Sequence, residues 1–145
     1  MLEKMKDIIK KNDLCVLATV TEGRTHCSLM SYVSDDEGCE IYMVSQRSSR
    51  KYLNLIENPI VSLLIDTREE EKGQERSNIK ALTVKGEYRI LNDPEKKDTM
   101  RSRLLKQHPH LADFLNDPGA DIFFIRVKSF QLLDGVKDVF LETID

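Results

Sequence analysis

Basic and hydroxyl side chains cluster in the segment SQRSSRKYLNLIENP, residues 45–59. A β-rich run ends where this segment begins, and the following apolar spacing predicts a helix that starts near Ser48 or Ser49. The free N–H groups and the dipole of a helix start favour an anion. Arg50 can hold phosphate oxygens in a bidentate way, and Lys51 adds a point charge. The segment therefore predicts a phosphate site, with a capped surface helix carrying a basic first turn as the alternative.

The other side chains with reactive chemistry are three cysteines and three histidines, namely Cys15, Cys27, Cys39, His26, His108 and His110. An odd cysteine count without a CxxC pair favours free thiols in a reducing compartment. The spacing of these residues is not that of a zinc site, so no metal is predicted. Phosphate-binding glycine motifs, nucleophile elbows and catalytic-triad motifs are also missing from the sequence. The catalytic residues therefore stay unassigned.

Length and charge limit the class of protein. A chain of 145 residues predicts one domain, residues 1–145. Its 22 basic and 25 acidic residues give a net charge of -3, which argues against a general nucleic-acid binder. No apolar run approaches the ~20 residues of a membrane helix, and the N-terminus lacks a signal-peptide core. A soluble, cytoplasmic protein is expected.

Apolar periodicity divides the chain into short elements. Strands are predicted over residues 14–20, 25–33, 39–45, 60–66, 80–91, 121–135 and 136–144. Helices are predicted over residues 2–12, from residue 48 or 49 to about 57, over 92–107 and over 111–116. Strands in runs joined by short turns favour an antiparallel barrel of six or seven strands over a parallel sheet.

Several local features accompany these elements. Gly86 predicts a bend or bulge in its strand. Asp93 and Pro94 predict a capped helix start. The charged segment 67–78 is expected to be a mobile loop, and QHPHL is expected to be a turn between helical segments. In the helix of the opening segment, the apolar residues expected to pack on the barrel are Tyr52, Leu53, Leu55 and Ile56.

Three segments together resemble the pyridoxamine 5'-phosphate oxidase-like family of FMN-binding split barrels. They are CVLATVTEGRTHCSLMSYV, IYMVSQRSSRKYLNLIENPIVSLLID and ALTVKGEYRIL, in that order. The resemblance covers residues 1 to about 135 and is to small, stand-alone, bacterial-type members. It implies a mainly β fold with peripheral helices, an antiparallel split β-barrel of six or seven strands. It also implies a homodimer with FMN in a groove between the subunits.

The same resemblance implies the residues that contact FMN. The strand HCSLMS would line the flavin with His26, Cys27, Ser28, Leu29 and Met30. The next strand would meet the ring and the ribityl chain with Met43, Val44 and Ser45. The phosphate would be held by Ser49, Arg50 and Lys51. Residues of a partner chain, with 85–88 as one candidate segment, would complete the site. Leu29 and Met30 are expected to be half-exposed in a monomer, and a two-fold interface would cover them.

The C-terminal segment departs from the true oxidases. LLDGVKDVFLETID carries no Arg-x-His pattern, and the chain has no Trp, so oxidation of pyridoxamine 5'-phosphate is not expected. The prediction is an FMN-dependent oxidoreductase for an unknown small molecule, with a nicotinamide as one candidate electron donor. A non-catalytic flavin-binding stress-response module and a deazaflavin protein stay open. A haem-binding protein also stays open, with His108 or His110 as the axial ligand.

Overall fold

A computed structural model describes residues 1–73 and 75–144 of the chain. The helices are α1 (Leu2–Lys11), α2 (Arg50–Glu57), α3 (Pro94–Gln107) and α4 (Ala112–Asn116), with 3₁₀ turns at Arg76–Asn78 and Pro109–Leu111. The strands are β1 (Leu14–Thr21), β2 (Arg24–Ser31), β3 (Val33–Ser34), β4 (Glu40–Gln46), β5 (Ile60–Asp66), β6 (Lys80–Ile90), β7 (Ala120–Asp134) and β8 (Asp138–Thr143). The predicted loop 67–78 includes residue 74, which lies outside the described residues.

All strands of the described chain belong to one antiparallel sheet of eight strands. Its order is β2-β1-β5-β6-β7-β4-β3, and β8 pairs with β7. The predicted antiparallel split barrel with peripheral helices is confirmed, with the two-residue β3 as an additional strand. The chain passes directly from β2 at one end of this order to β3 at the other end, so both ends of the curled sheet meet there.

Tyr32 makes that junction and breaks the single strand predicted over residues 25–33. Its backbone N–H donates to the Asp13 carbonyl at 2.9 Å. Its hydroxyl, buried with the ring, donates to the Ile9 carbonyl at 2.7 Å. The bond to Asp13 extends the β1–β2 register by one pair beyond Leu14 and Ser31, and the bond to Ile9 ties the junction to α1 before the chain enters β3.

Two predicted local features are confirmed. The β6–β7 register shifts between Lys85 and Gly86, which is the expected bulge. A Cβ at Gly86 would lie 2.6 Å from the Arg126 carbonyl oxygen, so only glycine fits this close approach. Pro94 begins α3, and the Asp93 carboxylate caps it by accepting from the first free backbone N–H groups.

The sheet has apolar residues buried on both faces at β4. Ile41 and Met43 lie in the core inside the barrel. Tyr42 and Val44 lie in a second core beneath α3 and α4. This double burial holds β4 rigidly, and the chain that leaves β4 leads straight into α2.

Helix α2 packs against β1 of the barrel. Tyr52 and Leu55 are buried as predicted, but Leu53 and Ile56 are exposed, so the prediction that all four pack on the barrel is wrong for these two. Helix α2 has eight residues, which form only about two helical turns. So short a helix can present only one narrow face to the sheet. The Asn54 side-chain amide donates to Thr19 Oγ1 at 3.2 Å and fixes this face. No helix in the described parts of the chain has the length and apolar character needed to cross a membrane.

Candidate cofactor-binding site

The start of α2 lies at the end of β4, as predicted, and Ser49 caps it. Ser49 Oγ accepts from the Tyr52 N–H at 3.3 Å and donates to the Gln46 carbonyl at 2.8 Å. The hydroxyl of Ser45 lies 2.9 Å from the hydroxyl of Ser49. Both predicted cofactor residues therefore use their hydroxyl groups to shape the turn, while the backbone N–H groups of Arg50 and Lys51 have no partner within the described chain.

Arg47 anchors the same turn to the loop before β7. Its backbone N–H donates to the Gly119 carbonyl at 2.9 Å. Its guanidinium donates to the Pro118 carbonyl at 2.7 Å and pairs with Asp121 at 3.6 Å. The Arg47 side chain is therefore already bound within the protein. Of the basic residues in this turn, Arg50 and Lys51 are the two whose side chains are available to a ligand.

Asp121 also holds the first turn of α2. The Tyr52 hydroxyl donates to Asp121 Oδ2 at 3.1 Å, and Lys97 Nζ lies 3.2 Å from Oδ1. Burial, together with the neighbouring Tyr88 and Asp121, raises the pKa of Tyr52 well above its usual range. The Tyr52 hydroxyl therefore stays protonated and remains a donor to this carboxylate.

One surface pocket, here called the arginine pocket, lies between α2 and the β1–β2 hairpin. It has a volume of about 400 Å³ and is lined by Thr21, Glu22, Arg24, Thr25, His26, Arg50, Asn54 and Glu57. The side chains of Arg24, His26 and Arg50 make no hydrogen bond or ion pair with the described residues. Glu57 ends α2, about 10 Å along the axis from Arg50. The donors nearest the helix start are therefore free to bind an anion.

A second pocket, here called the His110 pocket, lies on another side of α2. It has a volume of about 210 Å³ and is lined by Leu29, Met30, Ser31, Val44, Lys51, His110, Leu111 and Phe114. It brings together four of the predicted site residues, which are Leu29, Met30, Val44 and Lys51. His26 and Arg50 lie in the arginine pocket instead.

The remaining predicted residues line neither pocket. Met43 is fully buried in the barrel core and has no surface to offer a ligand. Ser45 is likewise buried. Cys27 is exposed on β2, and Ser28 is half-buried there. These two follow His26 on the strand that forms one edge of the sheet order.

Arg24 and His110 were not predicted to belong to a flavin site. Arg24 precedes His26 by two residues on one strand, so both share a face. Strand alternation could therefore have placed Arg24 with His26. His110 lies far along the chain, and only the fold brings it to Ser31, whose hydroxyl is 3.4 Å from His110 Nε2.

The predicted QHPHL turn is confirmed between α3 and α4, and its two histidines differ. His108 is only 4% exposed, and its Nε2 lies 2.9 Å from the Tyr32 carbonyl oxygen. Its ring meets that of His110 edge to face, with centroids 5.7 Å apart. His108 therefore supports the structure, and His110 is the accessible imidazole.

An exposed apolar surface covers part of the outside of the sheet. Val16 pairs with Leu29 on one side and with Leu64 on the other. These three residues and Leu14 line one groove and form what we call the outer apolar patch. Leu29 is 72% exposed, but Met30 is only 5% exposed because alternation turns it into the barrel core. The prediction that Met30 is half-exposed is wrong.

Metal-ligating side chains do not gather in the described parts of the chain. Across residues 1–73 and 75–144, no group of three or more His, Cys, Asp or Glu residues could hold a metal ion. Cys15 is buried in β1, and this burial raises the pKa of its thiol to about 12.

Comparison with known proteins agrees with this architecture. The sequence model of the family described as pyridoxamine 5'-phosphate oxidase matches residues 1–133. The chain belongs to the pyridoxamine 5'-phosphate oxidase family. No curated protein matches the chain. Family membership agrees with the observed fold and does not by itself identify the reaction.

Solved structures of other proteins share the fold. A haem-binding protein from Mycobacterium smegmatis is 18% identical with a TM-score of 0.83, over 97% of this chain and 57% of that protein. An FAD-binding protein from Mesorhizobium loti is 21% identical with a TM-score of 0.71, over 89% of this chain and 91% of that protein. General Stress Protein 26 from Bacillus anthracis is 18% identical with a TM-score of 0.71, over 99% of this chain and 98% of that protein. At these identities the likeness concerns the fold alone.

Proposed function

We propose that this protein binds FMN and acts as a flavin-dependent oxidoreductase on a small molecule. The observation that carries the proposal is the arginine pocket, which is lined by Arg24, His26 and Arg50, the first residue of α2. Arginine side chains bind phosphate in a bidentate way, and the free N–H groups of a helix start favour an anion. The flavin phosphate fits this arrangement.

The flavin ring would lie along β2 from this pocket. Strand β2 forms one edge of the sheet order, and an edge strand has backbone N–H and carbonyl groups without a strand partner. The pyrimidine side of a flavin presents donors and acceptors that such an edge can bind. The exposed Cys27 and Leu29 would flank the ring, and Val44 and Lys51 would lie at its far end.

A second copy of the chain would complete the site. The outer apolar patch leaves Leu14, Leu29 and Leu64 exposed, and an exposed apolar surface of this kind often marks an interface. A two-fold axis would let the same patch of both copies pack together. The ring on β2 would then lie beside the interface, with residues of the partner on its open side.

FMN would supply the redox chemistry by accepting a hydride from a donor and passing electrons to an acceptor. The residues of this chain would bind the phosphate, orient the ring and exclude water. In the arginine pocket no side chain is required to act as an acid or a base.

Absorption spectroscopy tests the proposal. The purified protein is examined before and after FMN is added, beside an Arg50→Ala/Lys51→Ala variant. Lys72→Ala/Lys106→Ala is the matched control, because it removes the same charge from two exposed positions outside both pockets. Retained flavin bands in wild type and control, and their loss in the test variant, are the expected result. If the wild-type protein retains no flavin absorption bands after FMN is added, FMN binding is refuted.

Reduction experiments separate an enzyme from a non-catalytic flavin-binding module. NADH or NADPH is added anaerobically to the FMN-loaded protein, and the flavin absorbance is followed. Bleaching faster than with free FMN supports an oxidoreductase with a nicotinamide donor. If dithionite bleaches the bound flavin but neither NADH nor NADPH does, the flavin can be reduced but does not accept electrons from nicotinamides. That result would favour a non-catalytic flavin-binding module.

Haem binding is the second candidate function, and the accessible His110 favours it. Of the two histidines predicted as axial ligands, we propose His110, because His108 is buried and its Nε2 lies 2.9 Å from the Tyr32 carbonyl oxygen. Haem titration of wild type and His110→Ala tests this. A Soret shift that the variant loses would support haem. If wild type gives no Soret shift, or if the variant keeps it, His110 does not ligate haem.

A further inference from the structure

Strand β8 forms a long free edge of the sheet. It pairs with β7 alone, and its other side has no strand partner among the described residues. The other strands with a single partner are β2, which the proposed flavin site uses, and β3, which has only two residues. Strand β7 begins opposite Gln46, which precedes α2, and ends opposite Asp138 of β8. The free edge of β8 therefore lies at the other end of β7 from the arginine pocket.

The sequence of β8 does not protect this edge. Free edges in soluble proteins commonly carry a lysine, a proline or a bulge that prevents a further strand from adding. Strand β8 contains no lysine or proline, and its register with β7 is continuous. Its three central residues, Val139, Phe140 and Leu141, are apolar and exposed, with Leu141 at 69%. An edge of this kind can accept another strand.

The backbone groups on the free side belong to alternate residues. The Ile144 N–H donates to the Lys128 carbonyl at 2.9 Å, which fixes the alternation of the β7–β8 ladder. Val139, Leu141 and Thr143 therefore point their N–H and carbonyl groups away from β7. Ile144 also packs against the barrel core, so the strand is held in place before any partner binds. Ordering this edge costs little when a partner adds to it.

The charges of β8 select a partner and a register. A second copy can bond through the outward groups only when outward residues face one another, so a two-fold axis must pass through a residue of the strand. An axis through Phe140 would set Asp138 opposite Glu142, and an axis through Glu142 would set that residue opposite itself. Like charges directly opposite each other are destabilising. An axis through Leu141 opposes no two charged residues of β8, and axes nearer the ends pair only a few residues.

We propose that β8 pairs with β8 of a second copy of the chain, antiparallel and about a two-fold axis through Leu141. Val139 of each copy then faces Thr143 of the other, and the two sheets join into one. Six residues bury less surface than a standard interface, so the association is weak and forms at high protein concentration. The contact does not involve the outer apolar patch and does not rest on the proposed function.

Sedimentation velocity in a Leu29→Lys background tests this contact by itself, because that substitution disrupts the outer apolar patch. Leu29→Lys alone is expected to form dimers as its concentration approaches about 1 mM. Adding Leu141→Lys or Leu141→Asp is expected to weaken this dimer at least tenfold, because like charges then meet on the axis. An equimolar mixture of these two variants is expected to associate at least tenfold more tightly than either variant alone, since opposite charges then meet.

Val136→Lys is the matched control, because Val136 is exposed on the same hairpin but precedes β8. It is expected to leave the association unchanged. A Leu29→Lys protein that stays monomeric at about 1 mM would overturn the proposal. So would a mixture that associates no more tightly than its two components do separately.

Backbone amide hydrogen exchange, measured by NMR, tests the pairing without a substitution in β8. In the Leu29→Lys protein, the amides of Val139, Leu141 and Thr143 are expected to exchange at least threefold more slowly at high than at low protein concentration. The amides of Phe140 and Glu142 donate to β7 and are expected to change little. Exchange at the three outward amides that does not depend on protein concentration would contradict the pairing.

Discussion

Arg50 and Lys51 are neighbours on α2, yet they line different pockets. Arg50 lies with His26 in the arginine pocket, and Lys51 lies with Val44 in the His110 pocket. Successive residues of a helix are about 100° apart around its axis, which separates the two side chains. The phosphate of FMN should therefore depend more on Arg50 than on Lys51.

Arg50→Ala is expected to weaken FMN at least tenfold and to change riboflavin affinity little. Riboflavin lacks the phosphate, so the ratio of the two affinities isolates the phosphate contact. A charge-assisted hydrogen bond contributes about 1.5–3 kcal/mol, and about 1.4 kcal/mol is a factor of ten. Fluorescence titration with both flavins measures the ratio.

Lys51→Ala is the comparison variant. We expect it to change the ratio of FMN affinity to riboflavin affinity less than Arg50→Ala does. If Arg50→Ala weakens both flavins equally, the phosphate does not bind in the arginine pocket.

Asp121→Asn is expected to lower the free energy of unfolding by about 1–3 kcal/mol, because the carboxylate accepts from charged donors in a half-buried site. Its partners are Arg47, Lys97 and Tyr52. Urea denaturation measures the loss. Asp7→Asn is the control, since its pair with Lys10 is on the surface and should contribute no more than about 0.5 kcal/mol. Equal stability of the two variants would show that Asp121 does not anchor α2.

Glu40 should make stability depend on acid pH. Burial opposes its ionisation, but hydrogen bonds from Tyr42 and Lys96 and the charges of Lys96 and Arg126 outweigh burial and lower its pKa. Because the folded-state pKa lies below the unfolded one, this stability is present above the unfolded pKa. It is lost as the pH falls through the folded pKa.

Glu40→Gln is therefore expected to cost about 1–3 kcal/mol at pH 7. The difference from wild type should shrink as the pH falls through the lowered pKa of Glu40, where the wild-type carboxylate becomes protonated. Urea denaturation at pH 7 and at a series of more acidic pH values tests this. Glu3→Gln is the control, because the Glu3 carboxylate is exposed and lies as far as 3.9 Å from Lys6. A pH-independent difference for Glu40→Gln would contradict the ionic origin.

Leu29→Lys is expected to convert the proposed dimer into a monomer, because a charge at the centre of the outer apolar patch would have to be desolvated. Sedimentation velocity at micromolar concentration measures the change. Leu105→Lys makes the same substitution at an exposed leucine on α3 and should stay dimeric. A wild-type protein that sediments as a monomer with FMN bound would contradict the dimer.

Local patterns in the sequence determined the elements of this protein. Alternation and turn residues predict the strands, Asp93 and Pro94 predict the start of α3, and the change of pattern at Ser49 predicts the start of α2. Helix starts, caps and strand faces depend on residues within a few positions of one another. They can therefore be predicted without knowledge of the tertiary structure.

The two pockets form only in the tertiary structure, because their lining residues come from distant segments of the chain. The strand predicted over residues 25–33 is divided at Tyr32, and the Tyr32 hydroxyl fixes this junction by bonding to Ile9, which is distant in the sequence. His110 reaches Ser31 only because α3 and the turn after it pack on the second core. Helix geometry alone separates Arg50 from Lys51, but the pockets that these side chains line depend on which surfaces the sheet and helices cover. The burial of Met43 on one face of β4 depends on the same packing. Such contacts between distant segments depend on packing of the whole chain, which no local pattern records.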